Sequence, residues 1–454
     1  MNSLTAKAES LHDAGKYKEA EALFAEVLQE DPTHPGKLFN LAKALHHQGK
    51  EKEAILKYCD VLVAPGEYPV YKANAANNLG LILSGYGKTQ EAVTAFEFAL
   101  SLIDNFAPAE NNLGNLLLKD GDFHGALKRY DSALKMDGKC FDACMNCGTV
   151  QLATGDMPRG WRNYEYRWKT ASFATKPIIG QTRWKGQSLE GKTILLTGEQ
   201  GKGDAIMGVR YAPLVRERYN PERLLYHGHR ETMNLFRHVQ GIDELSCVTD
   251  PNDVDPSTYD YHCPLFSLPD IFSTRLGDVP HDTYIHVPGE FGLVDTGKLR
   301  VAMVWAGSPG HANDKDRSVL PSLFEPLSKL DGIDWFSLQV GESAKQCPSW
   351  AKDLSPYITD YTDTAQALNE LDLVISVDTS VVHLAGAMGR PTWTLIPYSP
   401  DWRWMLTGDE SPWYPSIRLF RQETKGDWAD VVTRIKPELA KLSANHRVSK
   451  TTPR

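Results

Sequence analysis

Over the first third of the chain the apolar positions obey two periods at once. Locally they recur at helical spacing, and every 34 residues or so the whole arrangement returns. Glycines stand at Gly15, Gly49, Gly87, Gly121 and Gly155, separated by 34, 38, 34 and 34 residues. Ala20, Ala54, Ala92 and Ala126 follow a glycine by five residues, and Phe24, Tyr58, Phe96, Tyr130 and Tyr164 by nine. Small residues where two helices touch, an aromatic plug between them and a glycine at the turn describe a helix hairpin. Five such hairpins predict a solenoid over residues 1–170, with the four extra residues in the loop PGEYPVYK. Beyond it the pattern changes: apolar, β-branched runs alternate with helical stretches. Strands are expected at KTILLTG, RLLYH, YDYHCPL, LRVAMVWAG, WFSLQVG, Leu373–Val377 and PTWTLIP, with helices at RYAPLVRERY, 321–330, 363–370 and Ser380–Met388, the last stopped by Gly389. This alternation predicts two doubly wound parallel sheets: a linker and first α/β unit over 171–296, and a second over 297–442. A polar, frayed tail is expected over 443–454.

The repeat length of 34 is that of tetratricopeptide repeats. One register position bears on function: Asn40, Asn78, Asn112 and Asn146 each lie nine residues before a turn glycine, on the first helix of a hairpin. First helices line the concave side of such solenoids, so these amides would form a ladder. An amide both donates and accepts, which suits the backbone of an extended peptide; the alternative is a repeat position that simply favours Asn. Cys140, Cys144 and Cys147 spell CxxxCxxC, an iron–sulfur pattern. In the repeat register, however, Cys147 occupies the position of Leu41, Leu79 and Leu113, so these cysteines are expected to pack as small hydrophobes.

Composition narrows the partners. A formal net charge of −9 in 454 residues argues against nucleic acid or an anionic membrane. No apolar stretch reaches the length of a spanning helix. The start, MNSLTAKAESLHDAGKY, lacks an apolar signal core, and seven scattered cysteines fit a reducing cytoplasm rather than a disulfide framework, so a cytoplasmic location is expected.

Two tandem α/β units imply a cleft between the carboxyl ends of their strands. In the first unit, Gly198, Gly201 and Gly203 surround Lys202 and Asp204, with spacing that fits neither a Walker loop nor GxGxxG. Asp204, at a helix start, is either a cap or a general base for an acceptor hydroxyl. In the second unit, Asp378, Thr379, Ser380 and, one turn on, His383 stand at a strand-to-helix junction. That junction suits either capping or anion binding by the free N–H groups. Arg317, after the loop GSPGHANDKD, adds a planar cation, and together these groups suit a diphosphate leaving group. No DxD-like pair stands at a strand end in the cleft, so no metal and no cofactor are expected. Trp402 and Trp404 could stack on a ligand or close an interface; His227 and His229 lack the further ligands of a metal site.

The stretches EQGKGDAIMGVRY, WAGSPGHANDKDRS, SLQVG, DLVISVDTSVVHLAGAMGRPTW and PDWRW…SPWYPSIRLFRQ resemble bacterial glycosyltransferases of family 9, relatives of the heptosyltransferases, in the branch that carries tetratricopeptide repeats in front. The resemblance covers nearly the whole chain. It implies a GT-B fold and metal-independent, inverting transfer from a nucleotide-sugar, with Asp204 as base. It places donor contacts at Gly201, Gly203, Arg317, Gln339, Asp378, Thr379, Ser380 and His383. The shorter first unit, and repeats in place of a lipid acceptor site, point away from a heptose donor and a lipopolysaccharide acceptor. By analogy with other repeat-bearing sugar transferases, including those that glycosylate flagellin, they point to a protein acceptor held by the Asn40–Asn146 ladder.

Overall fold

The computed structural model describes residues 2–170, 173, 182–247, 254–311 and 313–451. The chain divides into two compact units, 1–150 and 151–454. The linker start expected at 171 lies outside the described residues.

The first unit is a tetratricopeptide solenoid of paired helices: α1 (Asn2–Asp13), α2 (Tyr17–Glu30), α3 (Pro35–His47), α4 (Glu51–Val63), α5 (Pro69–Gly85), α6 (Thr89–Leu102), α7 (Ala107–Lys119), α8 (Phe123–Met136) and α9 (Phe141–Ala153). The turn glycines of the repeat all take left-handed backbone, with φ between +73° and +88°, a conformation that costs glycine nothing. The periodic alanines are fully buried, and Phe24, Tyr58, Phe96 and Tyr130 are at most 1% exposed. The plug explains a second glycine in the third and fourth hairpins. A Cβ at Gly80 would lie 2.6 Å from the Phe96 ring, and one at Gly114 would lie 2.5 Å from the Tyr130 ring.

The fifth hairpin departs from the expected boundary at 170. Its second helix, α10 (Met157–Tyr164), belongs to the second unit. There Trp161 packs edge-on against Trp402 and Trp413, and Tyr164 against Phe266. Aromatic rings on this helix give it more apolar surface to bury in the α/β body than a solenoid end offers.

The second unit continues with β1 (Thr182–Arg183), β2 (Thr193–Thr197), α11 (Lys202–Gly208), α12 (Tyr211–Tyr219), β3 (Arg223–Gly228), α13 (Met233–Phe236), β4 (Glu244–Cys247), β5 (Tyr261–Pro264) and α14 (Leu268–Ile271). It then runs through β6 (Leu299–Val304), α15 (Asp314–Arg317), α16 (Glu325–Ser328), β7 (Ile333–Ser337), β8 (Lys352–Asp353) and α17 (Tyr361–Glu370). It ends with β9 (Leu373–Val377), α18 (Ser380–Ala387), β10 (Thr392–Ile396), β11 (Ile417–Arg421) and α19 (Trp428–Thr451). The strands form two parallel sheets, in the orders β1-β5-β2-β3-β4 and β11-β10-β9-β6-β7-β8. In each sheet the order reverses beside the first long strand, between β2 and β5 and between β6 and β9. At such a reversal neighbouring crossovers leave on opposite faces and open a crevice at the strands' carboxyl ends.

Three expectations are corrected. The helix expected over 321–330 is two single turns, Pro321–Phe324 and Glu325–Ser328, interrupted by Pro326 at a first-turn position. The short strands β1, β4 and β8 carry too few apolar residues to announce themselves. The tail from 443 is not frayed: α19 runs to Thr451, its Val431, Val432, Ile435 and Leu439 join the core of the second sheet, and Ser443 is 2% exposed.

Candidate functional site

At the first reversal the chain leaves β2 through Gly198 and Glu199 and enters α11. Glu199 is buried and bridges elements: it takes both Nε and Nη2 of the fully buried Arg167, at 2.7 and 3.0 Å, and the Phe266 N–H at 2.7 Å. Arg167 also donates to Ser267 on the other side of the reversal, at 3.1 Å. Asp204 is the third residue of α11. One carboxylate oxygen accepts the Gly201 N–H at 2.7 Å, and the other pairs with Arg403. It is thus a cap and a charge partner together.

At the second reversal β9 delivers Asp378, Thr379 and Ser380 to the start of α18, and β6 delivers Trp305, Ala306 and Gly307 opposite. Thr379 Oγ1 lies 3.2 Å from Ser376 Oγ, and Ser380 Oγ accepts from the Tyr361 hydroxyl at 2.8 Å. Arg317 is anchored by Asp314 at 3.3 Å and lies so close over Gly307 that a Cβ there would meet its guanidinium. Burial, and after it the neighbouring Asp401 carboxylate, push the Asp378 carboxyl up to about 6 against the pull of Trp404, Arg317 and Arg403.

The two loops meet. A Cβ on Gly203 would lie 2.9 Å from the His383 ring and 3.2 Å from Ser380 Cα. The glycine therefore lets α11 pack directly on α18. His383 is buried; its ring stacks on Trp404 at 5.4 Å, and Nδ1 lies 3.0 Å from the Tyr414 hydroxyl. Burial first, then Arg403, Arg210 and Arg317, hold its pKa well below the ordinary value, so the imidazole is neutral. It can donate or accept, but it brings no positive charge to a phosphate. Gln339 is likewise occupied. Its Oε1 accepts the Trp305 and Ala306 N–H groups, and its Nε2 donates to the Ala306 and Val340 carbonyls. It fixes the loop after β6 rather than reaching outward.

Sequence reasoning missed the most connected residue of the site. Arg403 is 7% exposed, pairs with Asp204 and Asp401, and stacks on Trp402 and Phe266. It stands inside PDWRW, where the tryptophans draw the eye; both are buried, Trp402 among aromatic rings and Trp404 beneath His383. Arg210 is the second omission. It is buried with no carboxylate partner among the described residues, donates to the Met207, Pro280 and Trp413 carbonyls, and is ringed by Tyr284, Trp413 and Tyr414.

The other residues singled out have structural partners. His227 Nδ1 lies 2.9 Å from Ser246 Oγ, and His229 Nε2 lies 2.6 Å from the Gln200 carbonyl. Cys144 and Cys147 are buried on α9, and burial pushes the Cys147 thiol up to about 12. In the solenoid, each ladder asparagine bonds to a residue of the preceding repeat rather than to another member of the ladder. Asn112 donates to Asn77 at 2.8 Å, Asn146 to Asn111 and Asn115 at 2.9 and 3.0 Å, Asn78 to the Tyr58 hydroxyl, and Asn40 to Glu9.

Comparison with known proteins fits this division. Residues 339–433 match glycosyltransferase family 9 (heptosyltransferase), and residues 11–56 and 111–160 match tetratricopeptide repeats. The chain thus joins repeats at its N-terminal end to a family 9 domain at its C-terminal end. Asp378, Thr379, Ser380, His383 and Arg403 lie within that match, and Asp204 and Arg317 precede it. Protein FlbA of Caulobacter vibrioides is 27% identical over 319 residues, covering 63% of this chain and 53% of FlbA. The chain therefore spans about half the length of that relative. Among solved structures, Pseudomonas aeruginosa pilF is similar at 16% identity over 48% of this chain and 85% of its own, with a TM-score of 0.33. TTC0263, a thermophilic TPR protein of Thermus thermophilus, is similar at 19% identity over 37% of this chain and 91% of its own, with a TM-score of 0.32. Among the described residues no helix is long and apolar enough to cross a membrane.

Proposed function

We propose that this protein is a cytoplasmic, nucleotide-sugar-dependent glycosyltransferase of GT-B architecture that modifies a hydroxyl on a protein held by its repeats. The observation that carries this is the pairing of two strand-order reversals. One presents a carboxylate, Asp204, and the other presents a helix start with Thr379, Ser380 and the guanidinium groups of Arg317 and Arg403; Thr379, Ser380 and Arg403 lie inside the family 9 match. Asp204 takes the proton of the acceptor hydroxyl as its oxygen bonds to the anomeric carbon. The bond from that carbon to the β-phosphate oxygen breaks on the opposite face, its electron pair leaving with the nucleoside diphosphate, so the configuration inverts. Charge developing on the leaving group meets the N–H groups of α18, Arg317 and Arg403, which serve where other transferases use a divalent ion.

A thermal-shift screen of UDP-, GDP-, ADP-, CMP- and dTDP-sugars tests the donor site. A true donor at a hundred times its dissociation constant adds about 2.7 kcal/mol of stability, and turnover should persist in EDTA. A screen with no stabilising nucleotide-sugar, or activity that returns only with Mg²⁺ or Mn²⁺, would overturn this reading. A second reading, a repeat scaffold with an inactive module, draws on one observation: both carboxylate oxygens of Asp204 are engaged.

A further inference from the structure

Arg403 is held in an unusual way. It sits on the turn that follows β10, and that turn ends at Met405, whose backbone at φ 56°, ψ 175° lies in a region open in practice only to glycine. The turn is fastened from β11: Arg421 donates to the carbonyls of Trp404, Met405, Thr407 and Gly408. Strain so over-determined is kept where a side chain must stand in one place. The side chain so placed is Arg403, which crosses from the second sheet's turn to Asp204 at the first sheet's helix. Its Nε is buried and has no hydrogen-bond partner among the described residues. A buried, unmatched guanidinium N–H is costly, and a phosphate oxygen would satisfy it. The charge of Arg403 also reaches Asp378 and His383 at the start of α18, where the proposed reading puts the diphosphate.

We propose that Arg403 is a shared cation: it neutralises Asp204, and the diphosphate of an incoming nucleotide-sugar competes for the same guanidinium. Donor binding then loosens the hold on Asp204. Both Asp204 oxygens are engaged while the pair is intact, so an oxygen is freed for the acceptor hydroxyl only when a donor is present to be attacked. The same contact that argues for an inactive module becomes the means by which donor and acceptor steps are ordered. This inference rests on the proposed donor site and base.

The test is a double-mutant cycle on the full chain, read by titration calorimetry with inorganic pyrophosphate, UDP, GDP and ADP. Neither sugar nor acceptor is needed. Arg403→Gln should weaken binding of the best probe by roughly 10- to 100-fold. Asp204→Asn removes the competitor and should tighten it by roughly 5- to 20-fold. In the double variant that gain should vanish, because it acts through Arg403. If Asp204→Asn tightens binding equally in both backgrounds, the effect is only the field of a lost carboxylate, and the shared-cation proposal fails. If Asp204→Asn changes nothing, or Arg403→Gln binds as the parent does, the pair is a fixed brace and the proposal fails while the donor site stands. If no probe binds the parent protein, the donor site itself is lost and the proposal with it. Thermal melting reports whether the variants fold. Arg403→Met, which keeps an apolar stem against Trp402 and Phe266, replaces an unstable glutamine variant in the same cycle.

Discussion

The two units solve the same problem, placing polar side chains inside a packed fold, by opposite means. In the solenoid two amide contacts are copies of each other: Asn112 reaches Asn77 and Asn146 reaches Asn111, both 35 residues back. The groups are neutral amides, and one step resembles the next. In the α/β unit the decisive contacts are singular and charged. Arg403 meets Asp204 across 199 residues, and Arg210 meets the Trp413 carbonyl across 203. Translation spreads polar contacts over equivalent groups, so no single one is essential. Convergence concentrates charge in a small volume, where a single group can be decisive.

The largest expected effect tests that concentration. Asp204→Asn should keep the Gly201 cap, since asparagine caps as well as aspartate, yet lower turnover by roughly 10²–10⁴-fold, the size of a general-base contribution. The measurement is initial nucleoside diphosphate release in the presence of acceptor. A rate close to the parent's would reduce Asp204 to a helix cap. The next effect is on stability. Glu199→Ala would leave Arg167 buried without its bidentate partner and should cost about 3–5 kcal/mol in urea denaturation. Asn146→Ala in the solenoid should cost only about 0.5–1.5 kcal/mol. Equal losses would erase the contrast.

The same contrast decides what could be read from the sequence. The solenoid was legible because its determinants are periodic: five glycines with φ between +73° and +88° and four plugs almost wholly buried follow from spacing alone. The boundary at 150 was not, because the fifth hairpin keeps its register, Tyr164 included, while its aromatic face packs into the α/β body. The two sheets were legible from their buried strands, and the loops at Asp204 and Asp378 from their place after β2 and β9. What those loops contact was hidden. Nothing near Gly203 announces that its missing side chain makes room for His383, and nothing in PDWRW distinguishes the arginine from its tryptophans. Gln339 spends its amide on the loop after β6, a task visible only once β6 and β7 are paired.

The ladder gives an intermediate effect. Asn78→Ala, Asn112→Ala and Asn146→Ala together should raise the apparent constant for a protein acceptor by roughly 10- to 10³-fold, at about 0.5–1.5 kcal/mol for each bond. Donor hydrolysis without acceptor should be unchanged. Because these amides also bond across repeats, melting of the triple variant must be followed in parallel. An unaltered acceptor constant in a folded triple variant would make the ladder a device for stacking repeats and nothing more.

The smallest effect is a pH dependence confined to the α/β site. Asp378 titrates near 6 rather than at the ordinary 3.8, chiefly because burial disfavours its charge, with Asp401 adding to the shift. For a carboxyl raised in the fold, the stabilising contribution is full below 3.8 and is lost as pH rises through about 6. Global stability is a poor readout, because His46 and His47 in the solenoid, both lowered by burial, add their own pH dependence to it. Donor affinity is the sharper one. An anionic diphosphate beside Asp378 favours the protonated carboxyl, so affinity for a nucleotide-sugar should rise as pH falls from 7 to 5. The gain should not exceed about tenfold, the equivalent of one unit of linked shift. A nucleotide-sugar is the right probe because its diphosphate carries no proton that titrates in this interval. Asp378→Asn should bind at pH 7 as the parent does at pH 5, with a flat profile between them. A parent profile that is already flat would place the diphosphate away from Asp378, and a slope that survives in Asp378→Asn would assign the titration to another group, His311 on the opposite loop being the nearest alternative.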